Sequence, residues 1–273
     1  VKARRKRRVR PSGIALLATP LALFLGLPVV VLVARALAGR APVDAAGSQA
    51  VLDALSLSLV TTLVSLVLIV GLGLPLAFVL ARRRFRGSSM VETVVDLPIV
   101  LPPSVAGLAL LLVFGRRGLL GEPLADLGLT IPFTTAAVIL AQVFVAGPFF
   151  VRSARAGLAN VERDLEDVAR DLGASEWAVF RAVTVPLAAP ALTAGLVLCW
   201  ARALGEFGAT IMFAGNIEGR TQTLPLVVYA EFQAGDLEAS IAAAAILVIA
   251  AFGVLLAVRR LRFARALDVR VGT

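Results

Sequence analysis

The chain has 273 residues, 59% of them hydrophobic and 16% charged, with a mean hydropathy of +0.92 and a formal net charge of +9. Those proportions exclude an ordinary soluble domain and predict membrane spans. Histidine is absent, cysteine occurs once and there is no Gly-Lys-Ser/Thr phosphate loop, which excludes imidazole catalysis, an internal disulfide, a thiolate metal cluster and ATP hydrolysis by this chain.

In chain order, residues 1–13 form a basic segment with Lys2, Arg4, Arg5, Lys6, Arg7, Arg8 and Arg10. The apolar run that follows predicts a first span over 14–38, which is long enough to be retained rather than cleaved as a signal. A transmembrane region is expected over 51–258. Its second span, 54–80, ends at Arg82-Arg83-Arg84-Phe85-Arg86. The third, 94–114, carries Pro98, Pro102 and Pro103. Three prolines remove three amide donors and expose carbonyls, so this part is expected inside protein or along a cavity. A loop with Arg116, Arg117, Glu122 and Asp126 leads to a fourth span over 134–151. A polar segment, 152–190, precedes the fifth and sixth spans at 191–213 and 241–258, and a basic tail covers 259–273.

The predicted fold is therefore all-α and polytopic, with six spans and both termini on one side of the membrane. The basic residues are clustered, which argues against nucleic acid as a partner and for membrane orientation. Those before span one, at Arg82 to Arg86, within 152–190 and after span six far outnumber Arg35, Arg40, Arg116, Arg117 and Arg220 on the other side. The positive-inside rule then puts both termini and segment 152–190 in the cytoplasm. The N-terminal cluster could also bind anionic lipid, although orientation suffices to explain it.

Within that segment Val161, Leu165, Val168 and Leu172 recur at spacings of four, three and four. This is an apolar stripe on a helix whose other faces carry Glu162, Arg163, Glu166, Arg170 and Asp171. Asn160 is the expected N-cap and Gly173 the expected stop. Such a helix either lies on the lipid or its own bundle, or grips a soluble partner.

Asp167-Val168-Ala169, three residues, Gly173, nine residues and Val183-Thr184-Val185-Pro186 resemble the EAA loop of ATP-binding-cassette (ABC) importer permeases of type I. Arg170, Leu172, Ala174, Ser175 and Trp177 fit the same pattern; Asp167 replaces Glu, Val168 the first Ala, Val183 Ile and Val185 Leu. The resemblance implies a coupling helix seated in a cleft of a separate ATPase subunit, with Leu165, Glu166, Asp167, Val168, Ala169, Arg170, Leu172, Gly173, Ala174 and Pro186 as coupling residues. It also implies no catalytic residue, metal or cofactor on this chain, ATP and magnesium residing on the partner.

A second pattern narrows the family. Arg202 to Thr210 with its Gly-Glu-Phe-Gly-Ala core, Ala214 to Ile217, Thr221-Gln222-Thr223-Leu224-Pro225-Leu226 and Leu97 to Gly107 look like the molybdate permeases of the molybdate/sulfate permease family. The resemblance implies a homodimer in a bacterial or archaeal cytoplasmic membrane, an ATPase dimer and an extracytoplasmic oxyanion-binding protein. The cargo is expected to be molybdate, with tungstate, sulfate or thiosulfate as alternatives.

Candidate pathway or gate residues are Pro98, Pro102, Pro103, Arg202, Glu206, Gly208 and Thr210. Arg202 and Glu206 are one helical turn apart and able to pair, which would either pin spans together or form part of the pathway. An oxyanion favours Arg202 and disfavours Glu206, so the pair suits a gate or low-affinity path better than a tight site. Asp53, Glu92 and Asp96 read as interfacial charges. Ser56, Ser58, Thr61, Thr62 and Ser65 either line a path or hydrogen-bond between helices, and Cys199 is a packing residue.

Overall fold

The computed structural model describes residues 13–38, 48–83 and 85–271, and the basic N-terminal segment, the stretch around Arg40 and Arg84 lie outside the described residues. The described residues are helical, with no strand among them. In chain order they form α1 (Gly13–Ala38), α2 (Gln49–Arg82), α3 (Ser88–Val100), α4 (Pro103–Phe114) and α5 (Gly121–Asp126). Then come α6 (Thr135–Ala159), α7 (Arg163–Asp171), α8 (Glu176–Leu204), α9 (Gly208–Phe213), α10 (Leu224–Ala234) and α11 (Leu237–Val271).

Among the described residues five helices, α1, α2, α6, α8 and α11, are long and apolar enough to cross a membrane. The bent pair α3–α4 makes a sixth if counted as one. Leu17, Leu21, Phe24, Leu63, Val67 and Leu72 are exposed, which suits contact with acyl chains and no aqueous surface of this size.

The third span is where the structure departs most from a simple hairpin count. It is not one helix. The chain breaks at Leu101-Pro102 and turns by 120° between α3 and α4. Pro102 has no N–H, and Pro103 opens α4 at a position where a missing donor costs nothing. Of the two settings expected for this part, inside protein or along a cavity, the single chain does not supply burial: Pro102 and Pro103 are exposed and Pro98 is half-buried.

The fifth span also differs. Its helix starts earlier, at Glu176, and stops at Leu204, so the Gly205-Glu206-Phe207 turn interrupts what hydropathy reads as one stretch over 191–213. Near its start α8 contains a π turn over Phe180–Thr184, just before Pro186. The proline lacks the N–H that an α-turn would require there, and the wider turn accommodates it. The sixth span's helix continues through the expected tail to Val271.

The bundle is organised around α6, which packs against α2, α8, α3 and α9. Thr134 caps its start by accepting from the Ala137 N–H at 3.4 Å. Its buried face is built of small residues: Ala137, Ala141, Ala146 and Ala154 are fully covered, and Gly157 lies against Ala191 of α8. In lipid, helices associate by close backbone approach and interhelical hydrogen bonds, because apolar burial alone discriminates little. Gln142 supplies the second element. Its amide nitrogen faces Thr61 and Thr62 at 3.3 and 3.4 Å, and its carbonyl oxygen accepts from Ser65 at 2.9 Å. Three of the hydroxyls on α2 thus tie α2 to α6 rather than line an open path. Ser58 does the same for α10, accepting from the Leu224 N–H at 2.8 Å. Cys199 is fully buried in the α2–α6–α8 core.

Candidate functional site

The first constellation is α7 and the turn after it. Glu162, not Asn160, occupies the N-cap position of α7, while Asn160 closes α6. The helix starts two residues later than its apolar repeat suggests, because Val161 is drawn into the core beneath α6.

Its two faces are arranged against the simplest reading of the stripe. Leu165, Val168 and Leu172 are exposed, Leu172 to 84%, and Trp177 nearby is exposed to 68%. The residue that faces the bundle is Glu166, only 5% exposed. Arg82 Nη2 at the end of α2 donates to Glu166 Oε1 at 2.7 Å, and Thr184 Oγ1 in the π turn donates to the same oxygen at 2.6 Å. Arg82 Nη1 also donates to the Val161 carbonyl at 3.2 Å. One carboxylate therefore ties α7 to α2 and α8 at once. Its charge is compensated where burial would otherwise be costly. Glu166 was expected among the contacts to a partner, and it faces its own bundle.

Outside that anchor, Arg170 links the two ends of the segment. Its Nη1 lies 2.5 Å from Asp167 Oδ1 and its Nε 2.6 Å from Glu176 Oε1. The Glu176 hydrogen bond holds the Arg170 guanidinium above its ordinary value, so it stays charged. Between them Gly173 has φ +88°. Its N–H donates to the Arg170 carbonyl at 2.8 Å and the Ala174 N–H to the Ala169 carbonyl at 3.0 Å. This is the paired closure of a Schellman end, for which a left-handed residue is required. Among the described residues, its chain neighbours aside, none comes within 4 Å of where a side chain would begin, so the demand on Gly173 is conformational. Phe180 continues the attachment, stacking on Trp177 and meeting Phe78 of α2 edge-on at 5.1 Å.

The second constellation brings together the two motif stretches that are about a hundred residues apart. Helix α4 crosses α9 at Pro103 and Gly208, where a Cβ on Gly208 would sit 2.7 Å from Pro103 Cβ. Arg202 Nη1 lies 2.5 Å from Glu206 Oε2. Glu206 is buried, and its other oxygen accepts from the Ala209 N–H at 2.7 Å, satisfying a donor at the start of α9. The pair thus fixes the angle of the α8–α9 turn as well as meeting the electrostatic need. Thr210 is fully buried, and its hydroxyl has no hydrogen-bond partner among the described residues. Pro98 belongs to α3, on the far side of the break from this contact.

Asp53 accepts from Gln49 at 2.9 Å at the start of α2, and Glu92 pairs with Arg155 at 2.9 Å. Gln142 and the Arg82 anchor escaped sequence reasoning. For Gln142 the signal was a lone amide within the apolar fourth span, a residue type that needs an interhelical partner in lipid. Among the described residues no group of three or more His, Cys, Asp or Glu side chains could hold a metal ion.

Comparison with known proteins places the chain among several relatives. Residues 73–271 match the family model for the binding-protein-dependent transport system inner membrane component. The molybdenum transport system permease protein ModB of Mycobacterium tuberculosis is 47% identical over 205 residues, covering 75% of this chain and 77% of that protein. Its counterpart in Escherichia coli K12 is 44% identical over 186 residues, covering 68% and 80%. A probable sulfate transport system permease protein of Anthoceros angustus is 36% identical over 190 residues, covering 70% and 66%. Among solved structures, a bacterial ABC transporter involved in alginate import superposes with TM-score 0.72 at 19% identity, covering 94% of each chain. That last likeness concerns the fold.

Proposed function

Because the chain belongs to the family of binding-protein-dependent transport system inner membrane components, we propose that it is the permease subunit of an ABC importer that carries molybdate. Two copies enclose the pathway in a prokaryotic inner membrane, with both termini and α7 in the cytoplasm. Two separate ATPase subunits bind ATP and magnesium and drive the cycle, and an extracytoplasmic binding protein delivers the oxyanion.

One observation carries this reading: α7 turns its apolar side chains outward while its buried carboxylate anchors it to α2 and α8. An amphipathic helix with its apolar face free and its polar face fastened is built to be held by something else. Leu165, Val168 and Leu172 enter the partner's cleft, with Asp167, Ala169 and Arg170 beside them, and Gly173, Ala174 and Pro186 set the path of the chain away from it. Movement of the docked ATPase subunits is passed through Glu166 to Arg82 and Thr184, hence to α2 and α8. The spans then alternate between outward and inward openings. The α4–α9 contact, with Pro102, Pro103, Arg202, Glu206, Gly208 and Thr210, stands where two broken helices meet. Irregular backbone inside a membrane is tolerated where it is buried in protein or lines a water-filled cavity. Residues at this contact therefore form the gate, and Pro98 stiffens its approach.

Molybdate is favoured over sulfate because the molybdenum permeases are the nearer relatives, at 44–47% identity against 36%. The test is ATP-dependent uptake of labelled molybdate by the complex reconstituted with its ATPase and binding protein. Unlabelled tungstate is expected to compete about as well as molybdate, and sulfate far less. Equal competition by sulfate would move the assignment to a general sulfate-type importer, and uptake that persists without the ATPase would remove it from ABC importers altogether.

A further inference from the structure

Next to the Arg82–Glu166 anchor, and sharing Arg82 with it, the structure has a second feature. A cleft of about 810 Å³ opens between the end of α2, the start of α3 and the end of α6. Arg82, Arg83, Arg155 and Arg163 line it, with Ser88 and a single carboxylate, Glu92. Glu92 is engaged by Arg155, and Arg82 by Glu166, yet Arg83 and Arg163 are exposed and pair with no carboxylate among the described residues. The Arg82 Nε is buried and has no hydrogen-bond partner among the described residues. With Arg82 and Arg155 already paired to Glu166 and Glu92, Arg83 and Arg163 are the two guanidinium groups at this cleft left to take an added anion, and planar guanidinium forks suit phosphate oxygens in particular.

Position and size decide which anion. Leu80, Ala81 and Ala159 form the apolar edge of the cleft, where α2 and α6 leave their membrane-crossing stretches. The volume is many times the roughly 30 Å³ share of a water molecule and exceeds what a free tetrahedral oxyanion needs. Basic pockets between helices at the cytoplasmic boundary are the places where anionic lipid headgroups bind. We propose that this cleft binds the phosphate-bearing headgroup of an anionic phospholipid from the cytoplasmic leaflet, and that the bound lipid braces the base of α7 against α2, α3 and α6. The inference rests on the functional reading in one respect, the cytoplasmic placement of the α2–α3 turn.

The experiment uses the intact permease–ATPase complex in detergent, with phosphatidylglycerol as probe and phosphatidylcholine as the neutral control, and counts bound lipid by native mass spectrometry. In the Arg83→Gln/Arg163→Gln variant phosphatidylglycerol affinity is expected to fall about 30-fold, from roughly 1 kcal/mol per basic residue. Glu92→Gln releases Arg155 and removes the negative charge, so the same affinity is expected to rise about fivefold. That gain is readable even if the double variant folds poorly. Equal retention by wild type and both variants overturns the proposal. So does displacement of phosphatidylglycerol by millimolar inorganic phosphate, which would make the cleft a site for soluble anions. Lipid is counted without cargo or ATP, so a complex that fails to import molybdate leaves this result standing and overturns the functional reading alone.

Discussion

Gly173→Val is expected to abolish most ATP-driven uptake while leaving the protein inserted and the bundle intact. The reason is local. Gly173 holds φ +88° and supplies one of the two N–H groups that close α7. A left-handed conformation costs an L-residue roughly 1–2 kcal/mol, more for a β-branched one. A cost of that size depopulates the turn by about tenfold or more. The space around it is open, so no core contact is lost and expression is expected to be near normal. ATP turnover by the bound ATPase should persist while uptake falls, which is the signature of uncoupling. Gly173→Asn separates conformation from side-chain bulk, since Asn tolerates the left-handed region far better, and it is expected to retain much of the uptake. If valine imports as well as glycine, the turn has no part in coupling.

Glu166→Ala is expected to be the most destabilising single change in the segment. It leaves Arg82, with 11% of its side chain exposed, without its counter-ion, and deprives Thr184 of its acceptor. Breaking a buried pair from one side costs about 3–5 kcal/mol, because the remaining charge is uncompensated. The loss should appear as a lowered unfolding temperature in detergent and as protease cleavage near α7. Removing both charges, in Arg82→Met/Glu166→Leu, is expected to restore most of the stability, since no unpaired group then remains. A Glu166→Ala protein within about 0.5 kcal/mol of wild type would show that the pair is a surface contact of little consequence.

Much of this arrangement was legible before any coordinates. The long apolar runs, the polar interruption at 152–190, the helix around Leu165 to Leu172 and its stop at Gly173 all follow from hydropathy, periodicity and the needs of a helix end. The orientation of that helix was not legible. An apolar stripe ordinarily marks the buried face, and nothing local to Glu166 announces a guanidinium 84 positions earlier in the chain. Prolines at 98, 102 and 103 signalled freed carbonyls in a single third span, and neither the break into two helices nor the 120° turn between them could be read from them. The interruption at Gly205 was hidden because Phe207, Ile211 and Phe213 keep the stretch apolar after α8 has ended. The spacing of Arg202 and Glu206 predicted their pairing correctly. It did not reveal that Glu206 also holds the Ala209 N–H and so sets the turn into α9.

In the function proposed here the exposed face of α7 is the seat of the ATPase. A photo-crosslinking amino acid placed at Leu172 in the assembled, membrane-embedded complex tests it most directly. The same probe at Leu119, 81% exposed in the loop between α4 and α5, serves as the control. A covalent adduct with the ATPase subunit is expected from Leu172 and none from Leu119. An ATPase adduct from Leu119, or none from Leu172 in a complex that retains its ATPase, would contradict it.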